Sequence, residues 1–275
     1  MRKSDEERKA EDAEADQRSS PGGTIIYKAI LKEGVDELDR PPSALFWSGL
    51  AAGLSMGASL IAEGLLGSHL PDSPWKPLIT KFGYSIGFLI VILGRQQLFT
   101  ENTLTPILPL LRDTSFRMFR RVLRLWAVVL VANLLGCLAA AWVADSDIAF
   151  GPEIKTEFAK IGSQAMMGGF AAHVLRGIFA GWLIALMVWI LPFAESARFW
   201  VIIVLSYIVG LGHFSHVVAG AVQTFFAAIV GEASWWSVLG NYLLPTFIGN
   251  VLGGVALVAA IAHAQVVSGK SSEEI

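Results

Sequence analysis

Charge is scarce in this chain and cysteine almost missing. Only 16% of its 275 residues are charged, where a soluble domain carries about a quarter, and 54% are hydrophobic. A water-soluble globule is thereby excluded, and a polytopic membrane protein is expected. The single cysteine, Cys137, lies in an apolar run, which rules out a disulfide framework or a cysteine-built metal centre and leaves a small packing residue. No phosphate-binding loop, His-Glu-x-x-His helix or nucleophile elbow occurs, so neither an enzyme nor a cofactor or metal site is expected, and no nucleic-acid partner either. The N-terminus has no apolar run ending in a small-residue cleavage site, so no cleavable signal peptide is expected.

The charges that exist are unevenly placed. Residues 1–23 are mostly Glu, Lys, Asp, Arg and Ser and read as a disordered cytoplasmic tail. Over 24–40, Ile25, Ile26, Ala29, Ile30, Val35 and Leu38 recur at near-helical spacing, which predicts an amphipathic helix at the membrane surface or against other subunits. The membrane domain then occupies 41–267, and 268–275 form a short cytoplasmic tail. Within it, apolar runs cover roughly 45–66, 80–111, 122–144, 170–193, 199–230 and 239–265, against about 20 residues needed per span, so six transmembrane helices are predicted. The basic loop Arg112 to Arg121 and the acidic loop Asp145 to Lys160 place the first loop, and with it both termini, in the cytoplasm. Most tryptophans, including Trp47, Trp75, Trp126, Trp142 and Trp200, fall near run ends, as interface anchors do.

The second and fifth runs are too long for one plain span and polar in the middle. One holds Gly94-Arg-Gln-Gln-Leu-Phe-Thr-Glu-Asn-Thr-Leu-Thr-Pro106, the other Gly210-Leu-Gly-His-Phe-Ser-His-Val-Val-Ala-Gly220. Bare imidazoles and opened helices are tolerated in a bilayer only inside protein or along a cavity, so both runs are read as broken helices. Val131-Ala-Asn-Leu-Leu-Gly136 resembles Ile248-Gly-Asn-Val-Leu-Gly253, and Leu98-Phe-Thr100 sits at a similar displacement from Phe214-Ser-His216. Three spans per half invert the halves, which predicts an all-α inverted 3+3 repeat with two breaks meeting near the midplane.

His216 is the leading site candidate, since its imidazole can donate a hydrogen bond or exchange a proton near neutral pH. His213 falls on a neighbouring helical face, while His173 and His263 lie near run ends and are read as interfacial. Thr100 to Thr103, with Glu101 and Asn102, serve equally as caps for the half-helices and as solute contacts. Arg95 and Glu63 are costly charges in hydrocarbon, and pairing of Arg95 with Glu101 or Glu63 is expected. Asn133 and Asn250 are read as helix-packing positions.

These segments resemble the formate/nitrite transporter family over roughly Leu45 to Val267. The matching stretches are Leu98-Phe-Thr100, Gly177 to Trp189, Phe214-Ser-His216 and Leu244 to Gly254. The wording of Gly94 to Pro106 and Gly212 to Gly220 is similar to one branch of bacterial inner-membrane members. The resemblance implies an aquaporin-like fold, a homopentamer with a pore in each protomer, embedded in lipid, and passage of formate, nitrite or a related small weak-acid anion together with a proton. It also implies that His216 is the central pore histidine, with Thr100 hydrogen-bonded to it. Leu98 and Phe99 then flank the loop, and Tyr84, Phe88, Phe214 and Val209 lie along the path. Gly181 and Gly220 stand where members usually carry asparagine, and Ala165 stands near a usual vestibule lysine. Those departures keep two other readings open: an aquaporin-like pore for a neutral solute, and a non-conducting scaffold whose charged N-terminal segment recruits a partner.

Overall fold

The computed structural model describes residues 23–268; the two terminal tails expected from the sequence lie outside them. It is helical throughout. Helix α1 (Gly23–Asp39) precedes α2 (Pro42–His69), α3 (Lys76–Leu93), a short α4 (Ile107–Arg112), α5 (Phe116–Ala144), α6 (Pro152–Ala165), α7 (Phe170–Ile190), α8 (Arg198–Leu211) and α9 (Ala219–Ile229). The last span, α10, covers Trp235–Gln265 and contains two stretches of π-helix, Val238–Leu243 and Leu252–Ala260.

Helices α2, α3, α5, α7 and α10 are each long and apolar enough to cross a bilayer. The second and fifth runs are divided as their polar interiors predict. Helix α3 stops at Gly94 and the chain resumes as α4; α8 stops at Gly212 and resumes as α9. The two stops have the same backbone. At each, the glycine N–H reaches back to a carbonyl four residues earlier at 2.9 Å, and the next residue, Arg95 (φ 49°) or His213 (φ 50°), enters the left-handed region. A side chain there costs strain, which persists only where the surrounding structure enforces it.

The repeat shows in how helices touch. Helix α2 lies along α5, and α7 lies along α10. Both crossings are made by glycines whose missing Cβ lets backbone meet backbone. A Cβ on Gly53 would overlap the Asn133 carbonyl, and one on Gly181 would overlap that of Asn250; Gly136 and Gly253 answer to Leu50 and Ile178 in the same way. Such close backbone approach is the means by which helices associate where lipid provides no hydrophobic drive.

Helix α1 buries Tyr27, Ile30, Gly34 and Leu38 beneath the bundle. Gly34 sits so tightly on the carbonyl of Thr105 that a Cβ would overlap it. The Tyr27 hydroxyl meets His263 Nδ1 at 2.8 Å, tying α1 to the end of α10. Helix α6 was not expected: its stretch has too few apolar residues for a span, and its charges suggest a loop. Pro152 opens it, and Phe158, Ile161 and Gly162 pack inward, with Gly162 against α9.

Candidate functional site

Both breaks are held open by one asparagine each. Asn133 Oδ1 accepts from the Phe99 N–H at 2.9 Å, while Nδ2 donates to the carbonyls of Gly49 at 2.8 Å and Gln97 at 2.9 Å. Asn250 does the same in the other half. Its Oδ1 accepts from Val217 N–H, and Nδ2 donates to Gly177 and Ser215, all at 2.8 Å. Each amide thereby satisfies three buried backbone groups that an unwound segment would otherwise leave unpaired. Their part in forming the breaks exceeds the helix-packing role expected from sequence. The matched partners also correct the register. Phe99 corresponds to Val217 and Gln97 to Ser215, so the counterpart of His216 is Leu98, and that of Thr100 is Val218.

His216 and Thr100 meet directly. Nε2 lies 2.8 Å from Thr100 Oγ1, and neither residue is more than 1% exposed. The other ring nitrogen, Nδ1, receives the N–H of Ala219 at 3.0 Å. Ala219 opens α9, so His216 caps that half-helix through a donor that has no partner within the helix. A backbone N–H can only donate. Nδ1 is therefore the unprotonated nitrogen, and Nε2 carries the hydrogen and gives it to Thr100 Oγ1. The Thr100 hydroxyl keeps its own proton to donate elsewhere, while its carbonyl accepts from Thr103 Oγ1 at 2.7 Å.

Around this pair the path residues are arranged in layers. Phe88 sets its ring edge against His216 with centroids 5.1 Å apart, and Tyr84 lies 5.4 Å beyond Phe88. Tyr84, Val209 and Phe214 line a cavity of about 30 Å³ on the α6 side. Leu98 is fully buried at the opposite break. Phe99 turns away to pack on Trp126 and Phe247. Trp126 donates to the Asn102 carbonyl at 2.8 Å, which makes it a support of the first break and not an interface anchor.

Several sequence expectations are corrected. Glu63 pairs with Lys81 and not with Arg95; both partners are buried at one end of the bundle. Arg95 lines a cavity of about 650 Å³ at the other end, with Glu33, Glu37 and Glu101. Gly181 has no room for a side chain because α10 fills it, so it belongs to the α7–α10 crossing. Gly220 has no free space either: a Cβ there would overlap the Tyr242 hydroxyl. His173 is fully buried, its Nδ1 3.1 Å from Ser215 Oγ, so it is not interfacial. Tyr242 and Lys81 are not singled out by the sequence, since nothing within their own segments names the residues they meet.

Glu37 of α1 reaches the first break from outside the spans. It accepts from Gln97 Nε2 at 3.0 Å and from the Thr105 hydroxyl. Burial lifts its carboxyl from the ordinary 4.5 to about 7, against the lowering effect of those two donors.

This architecture matches proteins already described. The formate/nitrite transporter family profile matches residues 24–264. The inner membrane protein YfdC of Escherichia coli (strain K12) is 39% identical over 264 residues, covering 96% of this chain and 85% of that one. A formate channel of Bacillus thuringiensis, BtFdhC, is 22% identical over 85% of this chain and 91% of its own. Among solved structures, a pentameric formate channel with formate bound superposes with a TM-score of 0.71 at 20% identity, over 83% of this chain and 98% of that one. A second, an ion channel of the same family, gives 0.76 at 19% identity over 90% and 100%. With a family match spanning nearly all of its described residues, this membrane protein belongs to the formate/nitrite transporters, a family of channels and transporters, not of enzymes.

Proposed function

We propose that the chain assembles as a homopentamer in the bacterial inner membrane, both termini cytoplasmic, and passes small monovalent anions of weak acids such as formate or nitrite, linked to a proton. The observation that carries this reading is the buried His216–Thr100 contact, 2.8 Å long, joining the two breaks. It offers a solute one aimed hydroxyl proton, backed by an imidazole N–H, in otherwise apolar surroundings. The names of the relatives supply the solute class, and the structural neighbour supplies the pentamer.

The same histidine bears on how protons are linked to the solute. Because Nδ1 is occupied by Ala219 N–H, a second ring proton would face another donor. His216 therefore works as a neutral hydrogen-bond donor, and the proton crosses on the solute as the weak acid. Phe88 against the ring and Leu98 at the opposite break favour the uncharged form over the bare anion.

Uptake of labelled formate and nitrite into proteoliposomes tests the proposal. Uptake that rises with an inward proton gradient and falls about tenfold or more in His216→Ala, the order of one buried polar group left unsatisfied, is the expected result. Gradient-independent flux of an uncharged solute alone would make it a neutral pore, and no flux of either would leave a scaffold.

A further inference from the structure

Two cavities meet on the α6 side of His216. The outer is an open vestibule of about 540 Å³, the inner the chamber of about 30 Å³. Lys81, Arg176 and His213 line both, so they form the neck between them.

The charges of the vestibule are unequal. Its wall carries Lys76, Lys81, Lys160 and Arg176 against Glu63, Asp72 and Glu157. Each acid is matched: Glu63 by Lys81, Asp72 by Lys76 at 3.1 Å, and Glu157 by Lys160 at 2.7 Å and Lys76 at 3.5 Å. Arg176 stands apart. Among the described residues no carboxylate lies within ion-pair distance of it, and its Nη1 donates to the Met167 carbonyl at 2.5 Å. That bond orients the guanidinium and leaves its other donors at the neck.

Inside, the chamber is polar. The hydroxyls of Tyr84, Ser215 and Tyr242 and the amide of Gln223 line it. Tyr242 reaches it because residue 220 has no side chain: a Cβ at Gly220 would overlap the hydroxyl and lie 2.6 Å from Cζ. The Tyr242 ring packs edge-on to His173, centroids 5.0 Å apart, and its hydroxyl lies against Ser215.

We infer that neck and chamber form a second solute site, for one small monovalent anion of carboxylate shape, in which Arg176 supplies the charge and the Tyr242 hydroxyl the orienting hydrogen bond. The inference rests on the anion-channel reading and adds the residues that admit the solute. A guanidinium presents paired donors that match a planar O–X–O group, which a lysine cannot do. The chamber is small beside the vestibule, about 30 Å³ against about 540 Å³, which suits one small ion at a time. Hydroxyls both donate and accept, so the site suits the anion on arrival and the neutral acid that leaves for His216.

The test combines binding and uptake on the full chain. Thermal shifts in detergent with sodium formate, sodium nitrite and sodium chloride at matched ionic strength read binding; proteoliposomes read flux. Arg176→Gln is expected to raise the half-saturating formate concentration about tenfold in both and to remove its dependence on ionic strength, with maximal uptake within about twofold, because one fixed charge concentrates anions on that scale. Tyr242→Phe should raise it with the salt dependence intact. Gly220→Ala should abolish uptake or folded yield, and Gly220→Ala with Tyr242→Leu should restore part of it, since the two compete for one space. Unchanged half-saturation and salt dependence in Arg176→Gln, or a Gly220→Ala protein indistinguishable from wild type, overturns the chamber. Formate binding that depends on Arg176 in a protein showing no uptake keeps the chamber and overturns the transport reading.

Discussion

Replacing Asn250 by alanine removes three hydrogen bonds at once and leaves Val217 N–H and the carbonyls of Gly177 and Ser215 buried without that partner. An unsatisfied buried group costs about 1–3 kcal/mol in soluble proteins, and interhelical hydrogen bonds in membranes average nearer about 0.6 kcal/mol. The N–H is the costliest of the three because it has only one bond to make. At about 0.6 to 2 kcal/mol for each of the three groups the total is about 2–6 kcal/mol, and for a chain of this length each kcal/mol lowers the melting temperature by about 2–4 °C. A fall of roughly 5–20 °C is expected for Asn250→Ala in detergent, followed by tryptophan fluorescence or by size-exclusion after heating. Asn241→Ala provides the control, since that side chain is exposed on the same helix and makes one 3.3 Å contact to Ser237. Asn133→Ala should behave as Asn250→Ala does. An Asn250→Ala protein that melts within about 2 °C of wild type and still passes solute would show that the break holds itself open without the amide.

Lys81→Met strands the Glu63 carboxylate inside the bundle and should cost about 3–5 kcal/mol, while Lys81→Met with Glu63→Leu should recover most of it, read as folded yield and melting temperature. Gly34→Val drives a side chain into the Thr105 carbonyl, so α1 should become accessible to protease while the spans stay intact. Docking of α1 should weaken with rising pH. The docked form holds a proton on Glu37 that the free form releases, so stability is full below about 4.5, is lost progressively up to about 7 and stays low above. Glu37 keeps part of its surface open to the cavity, which limits the loss to at most about 3 kcal/mol. Hydrogen exchange over Gly23–Asp39 between pH 5 and 8 reads it, and Glu37→Gln should flatten the profile.

The spans and both breaks were legible because hydrocarbon imposes a simple rule: an apolar run must be about 20 residues, and a polar interior must have a reason. The short likeness of Asn133 and Asn250 was legible too, though only the structure shows what the amides do, since their hydrogen-bond partners lie 33 to 84 residues away in the chain. Matching of motifs by wording set the repeat two residues out at the breaks, because Leu98-Phe-Thr100 and Phe214-Ser-His216 look alike while the backbone pairs Phe99 with Val217. Glu63 stands out in the sequence as a charge in need of a partner, but nothing singles out Lys81 as that partner or the Tyr242 hydroxyl above Gly220. Such partners depend on how two helices are turned relative to each other, which periodicity within one helix does not record. Helix α6 was passed over for a related reason: it rests on few buried side chains and is not itself a span.

The Ala219 N–H bond to His216 also bears on what the pore does when empty. A membrane that stores energy as a proton gradient is drained by any conduit whose groups hand protons along a line, and a buried imidazole with two free nitrogens is well suited to doing so. Here one nitrogen is stopped by a backbone donor that neither rotates nor ionises. On the proposed reading, the same contact that starts a half-helix would also act as an insulator: protons would cross only in the company of a solute, and the resting channel would hold the gradient.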